Sequence, residues 1–150
     1  MKRLTHNIRI LVTDGGRASV LRNAGQAGNP DLQLVSSYEQ DNPPTREQGS
    51  DQPPRVSDRN GRRSAIEQTD YHQQAEDQFV AQIAFDMDKA LTAGEFDELV
   101  VVAPPVALGV YRKAASQKLS AATVMEINKD LTKHSHAEIA AIVVKALEGG

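Results

Sequence analysis

The 150-residue chain has no cysteine, no tryptophan and only 4% aromatic residues. Without cysteine there can be no disulfide, no thiolate metal site and no thiol nucleophile. The scarcity of aromatics leaves a core to be built from aliphatic side chains and alanine. Charge of one sign is lacking as well: a formal net charge of -3 provides no global attraction to nucleic acid or an anionic membrane, so polyanion binding would need a local basic cluster. Long apolar runs are also missing. The stretch Ile8 to Val12 follows a basic start, but Arg9 interrupts it and it is far too short for a signal peptide or a span. No membrane insertion is expected, and the cytoplasm is the default compartment.

An apolar fraction of 39% against 25% charged residues is ordinary for a folded domain. At this length one core is expected, burying about two-thirds of the surface the unfolded chain exposes. We therefore expect a single domain over residues 1–150.

Along the chain, Ile8 to Val12 is short and β-branched, and "TDGG" (Thr13–Gly16) follows before "RASVLRN" resumes the apolar pattern, which predicts a hairpin turning on Asp14 and Gly15. After the turn cluster "AGQAGNPD", Leu32, Leu34 and Tyr38 alternate with polar residues as in a third, half-buried strand. Apolar residues at Ala75, Phe79, Val80, Ile83, Met87, Ala90 and Leu91 recur with helical period, with Asp70 and Gln73 as a capping box and Gly94 as the C-terminal cap. "ELVVVAPP" reads as a central strand buried on both faces. Pro105 then opens a helix with contacts at Val106, Val110, Tyr111, Ala114 and Leu119. Ala121 to Ile127 returns to strand, and a last helix follows with Ser135 and Glu138 as capping box and Ile139, Val143, Ala146 and Leu147 inward. The expected order is β-β-β-α-β-α-β-α. Two strand-helix-strand crossovers demand parallel pairing, and the opening meander is antiparallel. The expectation is an α/β, ribonuclease-H-like fold: a mixed five-stranded sheet with helices on its faces.

Between the third strand and the long helix lies "DNPPTREQGSDQPPRVSDRNGRRS" (Asp41–Ser64), with one sizeable apolar residue, Val56. Structureless connections beyond about 15 residues are uncommon in compact domains and tend to be functional or disordered. We expect a flexible arm at about 41–66. Its first part is acidic and proline-rich, whereas Arg55, Arg59, Arg62 and Arg63 stand against Asp58 alone near its tip at Gly61. Such a tip suits contact with phosphates. The plainer alternative is a solvated insertion, or a segment ordered only in a homo-oligomer.

Other candidates read as structural. Asp14 at the end of the first strand would suit a two-metal nuclease, but the fourth strand ends without a second carboxylate. "DGG" leads into a strand rather than a helix, so it lacks the amides of a phosphate loop. His134 and His136 have no further ligand cluster, and Arg112, Lys113 and Lys118 read as a solvated helix face. No metal or cofactor is expected.

Four motifs, "ILVTDGGRASVL", "SDRNGRRSAIEQTDYHQQAEDQFVAQIA", "FDELVVVAPPVALGVYR" and "INKDLTKHSHAEI", occur in an order that resembles the bacterial host attachment protein family. That family is similar in its order of elements to the middle domain of archaeal and eukaryotic class-one peptide-chain release factors. The resemblance marks Asp14, Gly15, Lys129 and Asp130 as family-motif residues of unknown role. It implies a translation-related factor whose partner is the ribosome, ribosomal RNA or tRNA, met through Arg55, Arg59, Gly61, Arg62 and Arg63. In the release factors a Gly-Gly-Gln motif sits on the arm before the long helix and promotes hydrolysis of peptidyl-tRNA. Here the tip reads "NGRRSAIEQ", with Gly61 alone and Gln68 well beyond it, so the resemblance does not imply an enzyme. A protein-interaction role in attachment, with the arm as docking segment, is the alternative, and a metal-dependent nuclease the third reading.

Overall fold

The computed structural model describes residues 3–40 and 61–149, with the side chains of 61–72 outside the description. Five strands form one sheet: β1 (Arg9–Thr13), β2 (Arg17–Asn23), β3 (Leu32–Glu39), β4 (Leu99–Val102) and β5 (Thr123–Ile127). Their order is β3-β2-β1-β4-β5, with antiparallel pairing from β1 to β2 and β2 to β3 and parallel pairing from β1 to β4 and β4 to β5. This is the mixed ribonuclease-H-like sheet expected from the sequence. Among the described residues four helices accompany it: α1 (Gly61–Thr92), α2 (Pro105–Ala114), α3 (Gln117–Ala122) and α4 (His136–Gly149).

The central strands β1 and β4 are buried at every position, because helices cover both faces of the sheet. On one face Leu11, Val20, Leu99 and Val101 pack against Ile83, Met87, Phe96 and Tyr111 from α1, its following turn and α2. On the other, Ile10, Val12, Val100 and Val102 pack against Ile139, Val143 and Leu147 of α4, with Leu4 and Ile8 closing the end. The core is aliphatic, as the composition requires.

Several local expectations need correction. Helix α1 spans Gly61–Thr92, so Asp70 lies inside the helix and not at its start. Ser116 begins a separate short helix, accepting a hydrogen bond from the Leu119 amide, and β5 starts at Thr123 rather than Ala121. Leu119 therefore reaches the core from α3 and not from α2. Within α2 the buried residues are Ala107, Leu108 and Tyr111, while Val106 is 62% exposed, so the helix is rotated by about one residue from the expected phase. Ala114 is exposed for the same reason. In β3, at the edge of the sheet, Leu34 is 52% exposed, and a bulge beside Val20 and Leu21 turns Tyr38 to the opposite face from Leu32.

Both helix ends that matter for the chain path are formed as the sequence indicated. Gly94, at φ 82°, follows α1; its amide donates to Leu91 O and the Glu95 amide to Ala90 O, the paired bonds of a Schellman motif. At α4, Ser135 and Glu138 exchange side chain-to-amide bonds of 3.0 and 3.1 Å.

One buried polar residue organises the end of the sheet opposite the hairpin. Asn23 has no exposed surface; its Nδ2 donates to the carbonyls of Leu4 and Thr5, and its Oδ1 accepts from the amides of Gly25 and Asp31. All of its hydrogen-bonding capacity is used.

Candidate functional site

The parallel pairing of β1, β4 and β5 brings their carboxyl ends to one edge of the sheet, where open α/β sheets commonly bind ligands. Asp14 and Gly15 stand there as the β1–β2 turn. Asp14 Oδ1 accepts from the amides of Gly16 and Arg17 at 2.8 and 2.9 Å, and Thr13 Oγ1 donates to Arg17 O. Short polar side chains do this in turns because the carboxylate mimics a backbone acceptor. Gly15 takes φ 130°, a conformation that a Cβ would strain. A Cβ there would also lie 3.3 Å from Glu76 Cδ, so the turn sits closely under the middle of α1.

The loop after β5 reaches the same edge. Asp130 Oδ1 accepts from the Thr132 amide at 3.0 Å and its hydroxyl at 2.6 Å, and that hydroxyl lies 3.4 Å from Asp14 Oδ2. The Thr132 hydroxyl, with its amide second, holds the Asp130 carboxyl below its ordinary value. Three of the four family-motif residues, Asp14, Gly15 and Asp130, are thus gathered at one place. Lys129 is the fourth; it is exposed, and its amide donates to Ile127 O. Between the turn, α1 and α2 lies a small cavity of about 110 Å³ bordered by Gln73, Glu76, Asp77 and Val106.

Chemically this edge is an anchor. Asp14 commits one oxygen to two amides and shares a hydroxyl with the other, which ties the hairpin to the β5–α4 loop. Among the described residues, no three His, Asp or Glu side chains stand together so as to hold a metal ion. His134 and His136 are exposed at the start of α4. Arg112, expected on a solvated face, is exposed but bonds Glu126 across to β5 at 2.6 and 2.8 Å.

Arg55 and Arg59 lie outside the described residues, while Gly61, Arg62 and Arg63 form the first turn of α1, their side chains outside the description. Glu76, which meets Gly15, comes 15 positions later, about 22 Å along the helix axis at 1.5 Å per residue. Among described side chains of α1, full burial begins only at Val80. Sequence reasoning missed that the basic tip continues directly into helix, because residues 61–72 carry no apolar period to announce it.

Among the described residues, no helix is long and apolar enough to cross a membrane. Comparison with known proteins adds the following. No curated protein matches the chain. Among solved structures, an archaeal translation termination factor is similar at a TM-score of 0.48 and 12% identity, over 95% of this chain and 39% of the other, so the chain spans about two-fifths of that protein's length. The family model described as bacterial archaeo-eukaryotic release factor family 12 matches residues 7–143, from two residues before β1 to the middle of α4. That match takes in the hairpin, the arm, all of α1 and the Asp130 loop, and the chain belongs to this release-factor family.

Proposed function

We propose that the protein is a translation-related factor that contacts ribosomal RNA or tRNA on the ribosome through the basic segment running into α1. The observation that carries this reading is the family match over residues 7–143, which spans the segment and the helix it feeds. Arg55, Arg59, Arg62 and Arg63 are the residues assigned to phosphate contact, with Gly61 at the turn into the helix. A guanidinium presents a planar fork that matches phosphate oxygens, and a row of four is suited to a folded RNA surface. The segment reads "NGRRSAIEQ" where hydrolytic release would need a glycine pair followed by glutamine, so we assign binding and no peptidyl-tRNA hydrolysis. Asp14, Gly15 and Asp130 are assigned to holding the scaffold on which α1 is seated. The site of action on this reading is the cytoplasm.

Sedimentation of cell extracts through sucrose gradients tests this. The protein is expected to travel with ribosomal particles at low salt; if it stays at the top of the gradient both in growth and under translation stress, the reading fails.

A second reading is favoured by the pairs Pro43-Pro44 and Pro53-Pro54, which bias a chain towards extended, peptide-like recognition. On it the arm docks a protein partner in surface attachment. Deletion of Asp41 to Ser64 then abolishes attachment while leaving the gradient profile of ribosomes unaltered.

A further inference from the structure

Arg9 is a cation in the wrong place for an ordinary strand residue. It lies in β1, is only 7% exposed, and stacks over the Phe96 ring at 5.6 Å. Burying a charge costs several kcal/mol unless partners replace the lost water. The partners found are few. Nη1 donates to Asn7 Oδ1 at 3.0 Å and Asn7 O at 3.3 Å, and no carboxylate of the described residues comes within ion-pair distance. Its cross-strand neighbour is a second arginine, Arg22. Burial first, then the Arg22 charge, pulls Arg9 below its ordinary value, with Glu95 opposing.

The side chain lines a groove of about 510 Å³ between β3 and the C-terminal half of α1. The groove is of the size that takes small molecules. Its walls mix apolar surface (Val35, Met87, Ala90, Phe96) with Lys89, whose ammonium lies over the Phe85 ring at 5.2 Å. Two acids border it. The Asp86 oxygens are already engaged, accepting from Tyr38 Oη and Gln82 Nε2 at 3.0 Å each, and Glu95 is exposed to solvent. With Nη1 turned to Asn7, the Nε–Nη2 side of the guanidinium carries no hydrogen bond within the described residues. That side presents two parallel donors, the geometry a carboxylate or phosphate accepts in bidentate fashion.

We propose that this groove binds a small organic anion, its carboxylate or phosphate oxygens on the Nε–Nη2 fork of Arg9 and its apolar body against Phe96, Met87 and Ala90. The site is distinct from the hairpin edge, since Arg9 opens β1 and Asp14 follows its other end. Carboxylate and phosphate share the required chemistry, and the probes below separate them.

The test is a titration of the ¹⁵N-labelled full chain with benzoate and, separately, with phenyl phosphate. Saturable shifts are expected at Arg9 Nε, Val35, Lys89 and Phe96 for at least one probe, and the tighter one names the anion class. Arg9→Lys keeps the charge but loses the fork, and should weaken binding roughly tenfold, the loss of about 1.4 kcal/mol. Should Arg9→Lys not fold, Val35→Glu decides: Val35 is 45% exposed, and a carboxylate there should weaken the anion several-fold without disturbing the core. If neither probe gives saturable shifts at these residues, or Val35→Glu binds as tightly as the parent, the proposal is overturned.

Discussion

Asp14 and Thr132 are 118 positions apart in the chain, and Thr132 Oγ1 lies 3.4 Å from Asp14 Oδ2. The same hydroxyl makes its shorter bond, 2.6 Å, to Asp130. One hydrogen thus sits between two carboxylates, weighted towards Asp130, and it couples two motif segments from opposite ends of the sequence. Replacing Thr132 by Val removes it. The Asp130 carboxyl should then rise towards its ordinary value of 3.8, read from its carbon shift in an NMR titration. The sign for stability follows: a carboxyl lowered in the folded state contributes above its unfolded value and loses that contribution as pH falls through the folded one. The parent chain should therefore lose stability below about pH 4 more steeply than Thr132→Val.

The turn itself is expected to be more sensitive than the bridge. Asp14→Ala leaves the Gly16 and Arg17 amides without their acceptor and should cost about 1 to 3 kcal/mol, whereas Asp14→Asn retains an oxygen and should cost less than half as much. A urea titration with an unchanged slope separates the two.

Gly15→Ala tests the backbone. The residue must hold φ 130°, and its Cβ must share space with the Glu76 side chain, so a loss of more than about 1 kcal/mol is expected. Gly28 offers an internal control, because a Cβ there meets nothing within 4 Å. Gly28→Ala should be close to neutral.

The hairpin, the buried run of β4 and the capping box of α4 were legible because each is a local signal: Asp-Gly chemistry, five consecutive apolar residues, and Ser135 three positions before Glu138. What was not legible depended on partners distant in sequence. Asn23 reads as the polar end of the second strand until the carbonyls of Leu4 and Thr5 close over it. Arg9 reads as an interruption of an apolar strand until Phe96 lies beneath it. Residues 61–72 form helix without an apolar stripe, so periodicity placed the start of α1 nine residues late, at Asp70. The long polar stretch before α1 was visible from its length and composition, whereas the Thr132 bridge was not visible at all, since nothing in the residues around Thr132 announces a partner 118 positions away.

Tyr111 gives an alkaline prediction. Thr123 Oγ1 donates its one hydrogen to Leu119 O, so the 2.9 Å contact between Tyr111 Oη and Thr123 Oγ1 must have Tyr111 as donor. Burial, together with the Glu126 and Asp88 charges, pushes the phenol up to about 12 from 10.0. Here the folded value is the higher one, so the contribution is complete below pH 10 and is lost as pH rises towards 12. Tyr111→Phe should cost about 1 kcal/mol at neutral pH through the lost hydrogen bond, and should flatten the fall in stability between those two values. Thermal unfolding across the alkaline range measures both.

The proposed RNA contact makes a prediction that differs from general stickiness. Each arginine that neutralises a phosphate releases counterions, so log K falls with log salt at a slope of about -0.7 to -0.9 per contact. Changing Arg55, Arg59, Arg62 and Arg63 one at a time to Gln should make the slope for ribosome binding less steep by roughly one unit for each residue that meets a phosphate. Changing Lys113 or Lys118, exposed on and beyond α2, should leave the slope as it is. A net charge of -3 works against non-specific attraction, which sharpens the comparison: on the proposed reading the affinity at low salt comes from the four guanidiniums. Equal slopes for the arginine and lysine variants would mean that the segment before α1 does not meet RNA phosphate.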